Sequence, residues 1–348
     1  NELVFRDNLG GLSLLNVETL ASQPFVANLE VNTEKYSISP DRKYILLARD
    51  DRPVWKYSYV AKYVIYDIQH KVQISLSPLE SRDENESLIQ NAVWSRKGSS
   101  LFFVHENDIY WKPEAQNSSI VRITDTGIPG VVFNGIPDFI YEEEILTSRS
   151  ALWPSPSGER LLFCTFNDTG VGESVFSWYA DEDQPYPHLK RLRYPKTGTA
   201  NPVVTLWVTE ITSDRVESIQ IVPAPSVSSS EHYFSGANWF NEDTIIVTWM
   251  NRKHTVSVLT RCKFPNWDCE EIQTVKLQGS GWLDFLDLPL FSNNGSSYLI
   301  RIPWRDGEAG LFRHVVWIDV ETRKEIPITH GPYEVTKILA WDQHANYM

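Results

Sequence analysis

One short pattern recurs along the chain: a turn carrying Ser, Pro, Asp, Asn or Gly, one or two charged or polar residues, then an apolar run. It appears as Ser39-Pro40-Asp41 before Tyr44-Ile45-Leu46-Leu47, and as Ser95-Arg96-Lys97-Gly98 before Leu101-Phe102-Phe103-Val104. It returns as Ser155-Pro156-Ser157-Gly158 before Leu161-Leu162-Phe163, as Asn241-Glu242-Asp243 before Ile245-Ile246-Val247, and as Ser292-Asn293-Asn294-Gly295 before Tyr298-Leu299-Ile300. Successive turns are about 56, 60, 86 and 51 residues apart, and the long interval holds an insertion around 181–202. Each hairpin is followed by a further apolar strand ending in a polar turn, as in Val64-Ile65-Tyr66-Asp67, Ile109-Tyr110-Trp111, Leu206-Trp207-Val208-Thr209 and Val315-Val316-Trp317-Ile318-Asp319. The runs are short, β-branched and aromatic, and long 3.6-period stretches are absent. A period of roughly 50–60 residues with three or four strands per unit is the mark of a β-propeller blade, which buries both faces only against its neighbours. A row of β-sandwich modules would show linkers, and none is visible.

The predicted fold is therefore all-β, a single domain over 1–348 built from about six to seven four-stranded blades. The last unit, Ile338-Leu339-Ala340-Trp341-Asp342-Gln343-His344-Ala345-Asn346, reads as a hairpin cut after its first strand. Such a cut leaves an unpaired edge, so the ring is expected to be truncated at Met348. The chain opens polar, on Asn1-Glu2-Leu3, without an initiator Met or a signal peptide. Either a segment has been removed or the chain is part of a larger protein.

Composition narrows the function. With 42% hydrophobic and 12% aromatic residues the chain is too apolar for disorder. Its 32 Lys+Arg against 45 Asp+Glu give a net charge of −13, which excludes a general nucleic-acid or anionic-membrane binder. No run of 18 or more apolar residues offers a bilayer span. Cys262 and Cys269 flank a turn signal, Pro265-Asn266, between two apolar runs, and read as a disulfide stapling a hairpin near its turn, hence an oxidising compartment. Cys164, in Leu161-Leu162-Phe163-Cys164, reads as buried filler. Sequons at Asn85, Asn117, Asn167 and Asn294 are candidate glycosylation sites, though their number is near chance. There is no Gly-x-Ser-x-Gly elbow, no His-Glu-x-x-His, no zinc-spaced Cys/His cluster and no phosphate-cradling glycine loop. The eight His are scattered. No catalytic set, metal site or cofactor is expected in this chain.

One segment stands apart: Phe133-Asn134-Gly135-Ile136-Pro137-Asp138-Phe139-Ile140-Tyr141-Glu142-Glu143-Glu144-Ile145-Leu146. Read plainly, it is a solvated acidic loop. Read as chemistry, it is a cation receptor. Adjacent residues of a strand face opposite ways, so two neighbouring Glu reach one ligand only from a helical turn or bend. Clustered carboxylates repel, which raises their pKa values unless a cation is near, and a substrate ammonium would suit them.

Asp138-Phe139-Ile140-Tyr141-Glu142-Glu143-Glu144 closely resembles the Asp-Trp-Val-Tyr-Glu-Glu-Glu motif of the dipeptidyl peptidase IV family. The resemblance is collinear over essentially the whole chain. Tyr36-Ser37-Ile38-Ser39-Pro40-Asp41, Trp55-Lys56-Tyr57-Ser58-Tyr59 leading to Ile65-Tyr66-Asp67, and Asn107-Asp108-Ile109-Tyr110 also look like it. So do Ser150-Ala151-Leu152-Trp153, Phe166-Asn167-Asp168-Thr169, and Tyr194-Pro195-Lys196-Thr197-Gly198 with Asn201-Pro202. That resemblance implies an eight-bladed propeller paired with a C-terminal α/β-hydrolase domain, absent here, that carries the Ser-Asp-His triad. It implies a serine exopeptidase removing N-terminal dipeptides with Pro or Ala second, a homodimer, and an extracellular setting, secreted or as the ectodomain of a type II membrane protein. By the same resemblance Glu143 and Glu144 bind the ammonium of a peptide with a free N-terminus, Arg122 contacts the substrate carbonyl and steadies the glutamates, and Glu142 and Tyr141 support them. The segment 209–235 would extend as a dimerisation arm.

The chain departs from the family pattern in places. Phe139 stands for the usual Trp, Pro154 for a second Trp after Trp153, and the loop Gly281-Trp282-Leu283-Asp284-Phe285-Leu286-Asp287 is shorter and acidic where active members carry an Arg-bearing loop. The superfamily also contains catalytically inactive relatives that act as auxiliary subunits of potassium channels and keep the Glu triplet. The triplet alone does not separate the two.

Overall fold

The computed structural model describes residues 2–31, 33–78, 87–179, 185–211, 216–277, 279–345 and 347–348. They form a succession of antiparallel sheets, each built largely from consecutive segments, as the repeat requires. The first has three strands, Glu2–Arg6, Leu12–Asn16 and Ser22–Val26 (β1–β3). The second comprises Tyr36–Ile38, Tyr44–Pro53, Tyr59–Asp67 and Val72–Ser75 (β4–β7), and the third Asn91–Trp94, Leu101–His105, Asp108–Lys112 and Val121–Arg122 (β8–β11). In the fourth, Val132–Asn134 (β12) and Leu152–Pro154 (β13) both pair with Arg160–Asn167 (β14). A two-stranded ribbon, Glu173–Trp178 with His188–Arg193 (β15–β16), leaves the sheet before Val203–Ile211 and Val216–Ile221 (β17–β18) complete it. The fifth holds His232–Asn241, Thr244–Asn251, Val256–Lys263 and Asp268–Lys276 (β19–β22); the sixth holds Leu290–Phe291, Ser297–Asp306, Gly310–Asp319 and Glu325–Pro327 (β23–β26). This is a β-propeller of four-stranded blades, and no hydrolase domain lies within the chain.

Blade packing explains the apolar runs. A strand sandwiched between two neighbouring sheets is buried on both faces and reads as a continuous apolar stretch. β9 is buried along its whole length and β20 along all but its last residue. The core runs through several sheets without a break: Phe102, Leu162, Leu206 and Ile245 belong to one buried cluster.

The recurring serine has a structural reason. Ser39, Ser155 and Ser292 each bond through their own N–H to the carbonyl five residues on, at 2.9, 2.9 and 2.8 Å. Their hydroxyls accept the N–H of that same residue at 3.0, 3.2 and 3.1 Å. One small side chain thus closes the turn that the strand pairing needs. The turns also meet each other. Gly158 has φ +82°, and a Cβ there would stand 2.1 Å from Ser95 Oγ of the preceding sheet. The Glu242 carboxylate accepts hydrogen bonds from Ser157 N at 2.8 Å and from the hydroxyls of Ser155 and Ser157 at 2.8 and 2.7 Å, tying the fifth sheet to the fourth. These bonds hold its carboxyl below the usual glutamate range against the opposing effect of burial.

Three expectations need comment. Cys262 and Cys269 sit directly opposite one another on β21 and β22 and form the disulfide. The described residues of the segment 209–235 do not extend as an arm: β18 lies along β17, and Ile221, Ala224 and Val227 are buried in the core. It is the apolar side of this segment that folds it back. Finally, residues 338–341 form no strand, and among the described residues that follow there is an isolated bridge, Asp342 with Tyr347. β1–β3 had no counterpart in the repeat pattern, because β1 is exposed throughout and the burial of this sheet is concentrated on Leu12, Leu14 and Val26.

Candidate functional site

The acidic segment is an excursion from one sheet edge. β12 and β13 pair with opposite ends of β14, Val132 opposite Asn167 and Leu152 opposite Phe163, so the intervening residues must leave the sheet and return. The exit is Gly135, at φ +73°, where a Cβ would lie 2.6 Å from Leu152 Cδ2. Only glycine fits that close approach. Gly135 N donates to Cys164 O at 2.9 Å and Ala151 N donates to Gly135 O at 2.9 Å, clamping the neck.

Beyond the neck the chain winds into a single wide helical turn, Tyr141–Ile145, in which Leu146 N reaches back five residues to Tyr141 O at 2.8 Å. Turns of this width are uncommon and concentrate at functional sites. Asp138 begins it: its Oδ2 accepts the N–H of Ile140 at 3.1 Å and its carbonyl accepts that of Glu142 at 2.9 Å. Tyr141 anchors it from below, fully buried, with its ring 4.9 Å from that of Phe166 and its hydroxyl accepting Phe234 N at 3.4 Å.

The three glutamates then take different roles. Glu142 is 0% exposed, and its Oε1 accepts the backbone N–H groups of Tyr57 and Ser58, both at 2.8 Å. Its Oε2 is buried without a hydrogen-bond partner. Glu143 is half-buried, with Oε1 accepting Lys56 N at 2.9 Å. Glu144 is exposed, and no hydrogen bond or ion pair to it exists among the described residues. The β5–β6 turn therefore steadies the glutamates with peptide N–H groups. Trp55 in the same turn packs against Phe139 at 5.7 Å and Phe133 at 6.2 Å.

Arg122 does not steady them. Its guanidinium donates to Asp108 Oδ2 at 2.6 Å and to Thr124 O at 2.9 Å, and among the described residues it makes no hydrogen bond or ion pair with Glu142, Glu143 or Glu144. Asp108 is buried and draws the nearest cation, which fixes Arg122 on the edge strand β11 of the third sheet. The turn beside the glutamates, Trp55-Lys56-Tyr57-Ser58, holds them through the peptide N–H groups of Lys56, Tyr57 and Ser58. Backbone donors leave no mark in a sequence.

The carboxylates of Asp138, Glu142 and Glu143 are held by peptide N–H groups and form no ion pair among the described residues. Asp138 is 1% exposed and Asp168 2% exposed, and each has a buried Oδ1 without a partner. Burial and the neighbouring Asp168 carboxylate push Asp138 well above the usual range. Burial pushes Asp168 up to about 7, partly offset by the positive charge of Arg193. No group of three or more His, Cys, Asp or Glu is arranged to hold a metal ion among the described residues. Of the sequons, Asn117, Asn167 and Asn294 are exposed, and each turns its Oδ1 onto the N–H two residues on, at 2.9, 2.9 and 3.1 Å. Asn85 lies outside the described residues.

Comparison with known proteins places these features in a wider set. The family model described as the dipeptidyl peptidase IV N-terminal region matches residues 39–348. Inactive dipeptidyl peptidase 10 of Mus musculus is 34% identical over 349 residues, covering 98% of this chain and 43% of that protein. Prolyl endopeptidase FAP of Homo sapiens is 35% identical over 337 residues, covering 94% of this chain and 43% of the relative. Dipeptidyl peptidase 4 of Sus scrofa is 35% identical over 343 residues, with the same two coverages. The chain thus spans less than half the length of the curated relatives it matches. The crystal structure of Porphyromonas gingivalis dipeptidyl peptidase 4 superposes with a TM-score of 0.82 at 20% identity, over 98% of this chain and 47% of that one, a likeness of fold.

Proposed function

Because this chain belongs to the dipeptidyl peptidase IV family, we propose that it is the substrate-recognition propeller of a serine exopeptidase that releases N-terminal Xaa-Pro and Xaa-Ala dipeptides. Glu143 and Glu144 receive the substrate ammonium. The observation that carries this reading is the wide turn at Tyr141–Ile145, which presents two glutamates in succession beside a third that is buried and held by peptide N–H groups. An ammonium fixed there acts as a ruler. Two extended residues span about 7 Å, so only the second peptide bond reaches a nucleophile held at that distance. The nucleophile belongs to a C-terminal α/β-hydrolase domain of the same protein, which is the first partner. A second copy of the protein is the other. An extracellular setting, secreted or as an ectodomain, fits the disulfide and the exposed sequons at Asn117, Asn167 and Asn294.

A second reading has its own support in the 34% identity to a relative named as inactive. In it the intact protein binds without cleaving, as an auxiliary subunit of a potassium channel. The test is turnover of Ala-Pro-p-nitroanilide and its N-acetylated counterpart by the intact protein. Cleavage of the free amine only, with kcat/KM reduced at least ~100-fold in Glu143→Gln/Glu144→Gln and an unchanged unfolding curve, is the expected result; ~100-fold corresponds to about 2.7 kcal/mol. Retained turnover in the double variant removes the ammonium receptor. Absence of turnover in the unmodified protein selects the second reading.

A further inference from the structure

Beside the acidic turn lies a cavity of about 620 Å³, within the size range of small-molecule sites. Its walls are aromatic. Trp55 stands on one side, held by Phe133 and Phe139, and Phe176 and Trp178 of the β15–β16 ribbon stand on another, 6.5 Å apart. Two cations line it without an acid to answer them. Arg149 donates to Tyr63 Oη at 3.1 Å and lies 4.1 Å from the ring centre of Tyr59, and no carboxylate is within ion-pair distance of it among the described residues. Lys190 is exposed, with its ammonium 3.8 Å from the ring centre of Trp178, and it too has no ion pair among the described residues. Neither has an ion pair among the described residues, in a chain of net charge −13.

The two carboxylates on the lining do not cancel them. Glu142 is wholly buried with Oε1 engaged by two N–H groups, and Asp168 is 2% exposed with its carboxyl pushed up to about 7. The charge a ligand can touch is therefore positive. A guanidinium stacked on a phenol ring keeps edge N–H groups for a carboxylate, the geometry that arginine supplies and lysine does not. The lining rings of Trp55, Phe176 and Trp178 supply the apolar contact for a flat body.

We infer that this cavity binds a small aromatic carboxylate, with its anionic group on Arg149 and Lys190 and its ring against Trp55, Phe176 and Trp178. The site is independent of the ammonium reading, since neither Glu143 nor Glu144 lines it.

Equilibrium dialysis of the intact protein against indole-3-acetate and against tryptamine tests this, because the two probes share a ring and differ in the sign of the charge. Saturable binding of indole-3-acetate below 1 mM is expected, at least ~10-fold tighter than tryptamine. Arg149→Gln should weaken it about 10-fold and Lys190→Gln about 3-fold. Lys190→Gln and Phe176→Ala alter exposed side chains, so they carry the test if Arg149→Gln disturbs folding. No saturable binding of the acid, tighter binding of the amine, or an affinity unmoved by Lys190→Gln and Phe176→Ala overturns the site.

Discussion

Asp108 and the turn at Tyr141–Ile145 are both built around buried carboxylates, yet they end in opposite electrostatic states. Asp108 Oδ1 accepts from Thr124 Oγ1 at 2.7 Å, Gly127 N at 3.0 Å and Asn134 Nδ2 at 3.0 Å, while Oδ2 takes the Arg122 guanidinium. Every oxygen is answered and the charge is neutralised. In the acidic segment, Asp138 and Glu142 each keep one buried oxygen without a partner, Asp168 adds another, and peptide N–H groups are the main donors. A closed acidic hub is structure. An open one, answered by peptide N–H groups and not by a paired side-chain cation, is where a cation from outside gains most.

Four experiments sharpen or break that contrast. Asp108→Ala should cost most, about 2–4 kcal/mol in denaturant unfolding, since it removes the acceptor of the Gly127 N–H, of the Thr124 hydroxyl, of the Arg122 guanidinium and of one of the two hydrogen bonds from the buried Asn134 amide. A loss under ~0.5 kcal/mol would mean that the hub is ornamental. Glu142→Ala should cost about 2–3 kcal/mol by leaving the N–H groups of Tyr57 and Ser58 without an acceptor, and Glu142→Gln less, because its carbonyl still accepts. Arg122→Ala should cost about 1–2 kcal/mol of stability and leave kcat/KM of the proposed reaction within about 3-fold; a large kinetic loss with normal stability would restore it to the substrate.

The smallest effect is on pH dependence. Burial pushes the Asp168 carboxyl up to about 7, so at this group the native state holds more protons than the unfolded chain between about 4 and about 7, and Asp138, also raised by burial, acts in the same direction. Stability from this pair therefore falls as pH rises through that window. Asp168→Asn should raise Tm by a few degrees at pH 8, at roughly 2–4 °C per kcal/mol, and by much less at pH 5. An equal shift at both pH values would show that Asp168 titrates as an ordinary carboxylate.

The serine turns and apolar runs were legible because they repeat, and each has a local cause: a hydroxyl closing its own turn, and strands buried on both faces. The hairpin disulfide was legible because its two cysteines straddle a turn. The acidic turn was legible as a cluster, and its bend followed from the fact that adjacent strand residues diverge. The pairing of Arg122 with Asp108 was not legible because its neighbours are set by pairing across β10 and β11, which spacing along the chain does not encode. The fold-back of 209–235 turned on which side of β18 is apolar, and the alternation there is weak, with only Ile221 of that strand buried. The role of Trp55–Ser58 lay in peptide N–H groups, which every residue but proline possesses.

The bonds from Glu142 to Tyr57 and Ser58 join positions 85 and 84 residues apart, across two different sheets. The geometry around Glu142 and Glu143 is thereby a readout of whether the blades have assembled, since neither sheet can hold it alone. By linkage, anything that grips those glutamates in the assembled state also opposes the parting of the blades. A bound peptide would act as a rivet as well as a cargo.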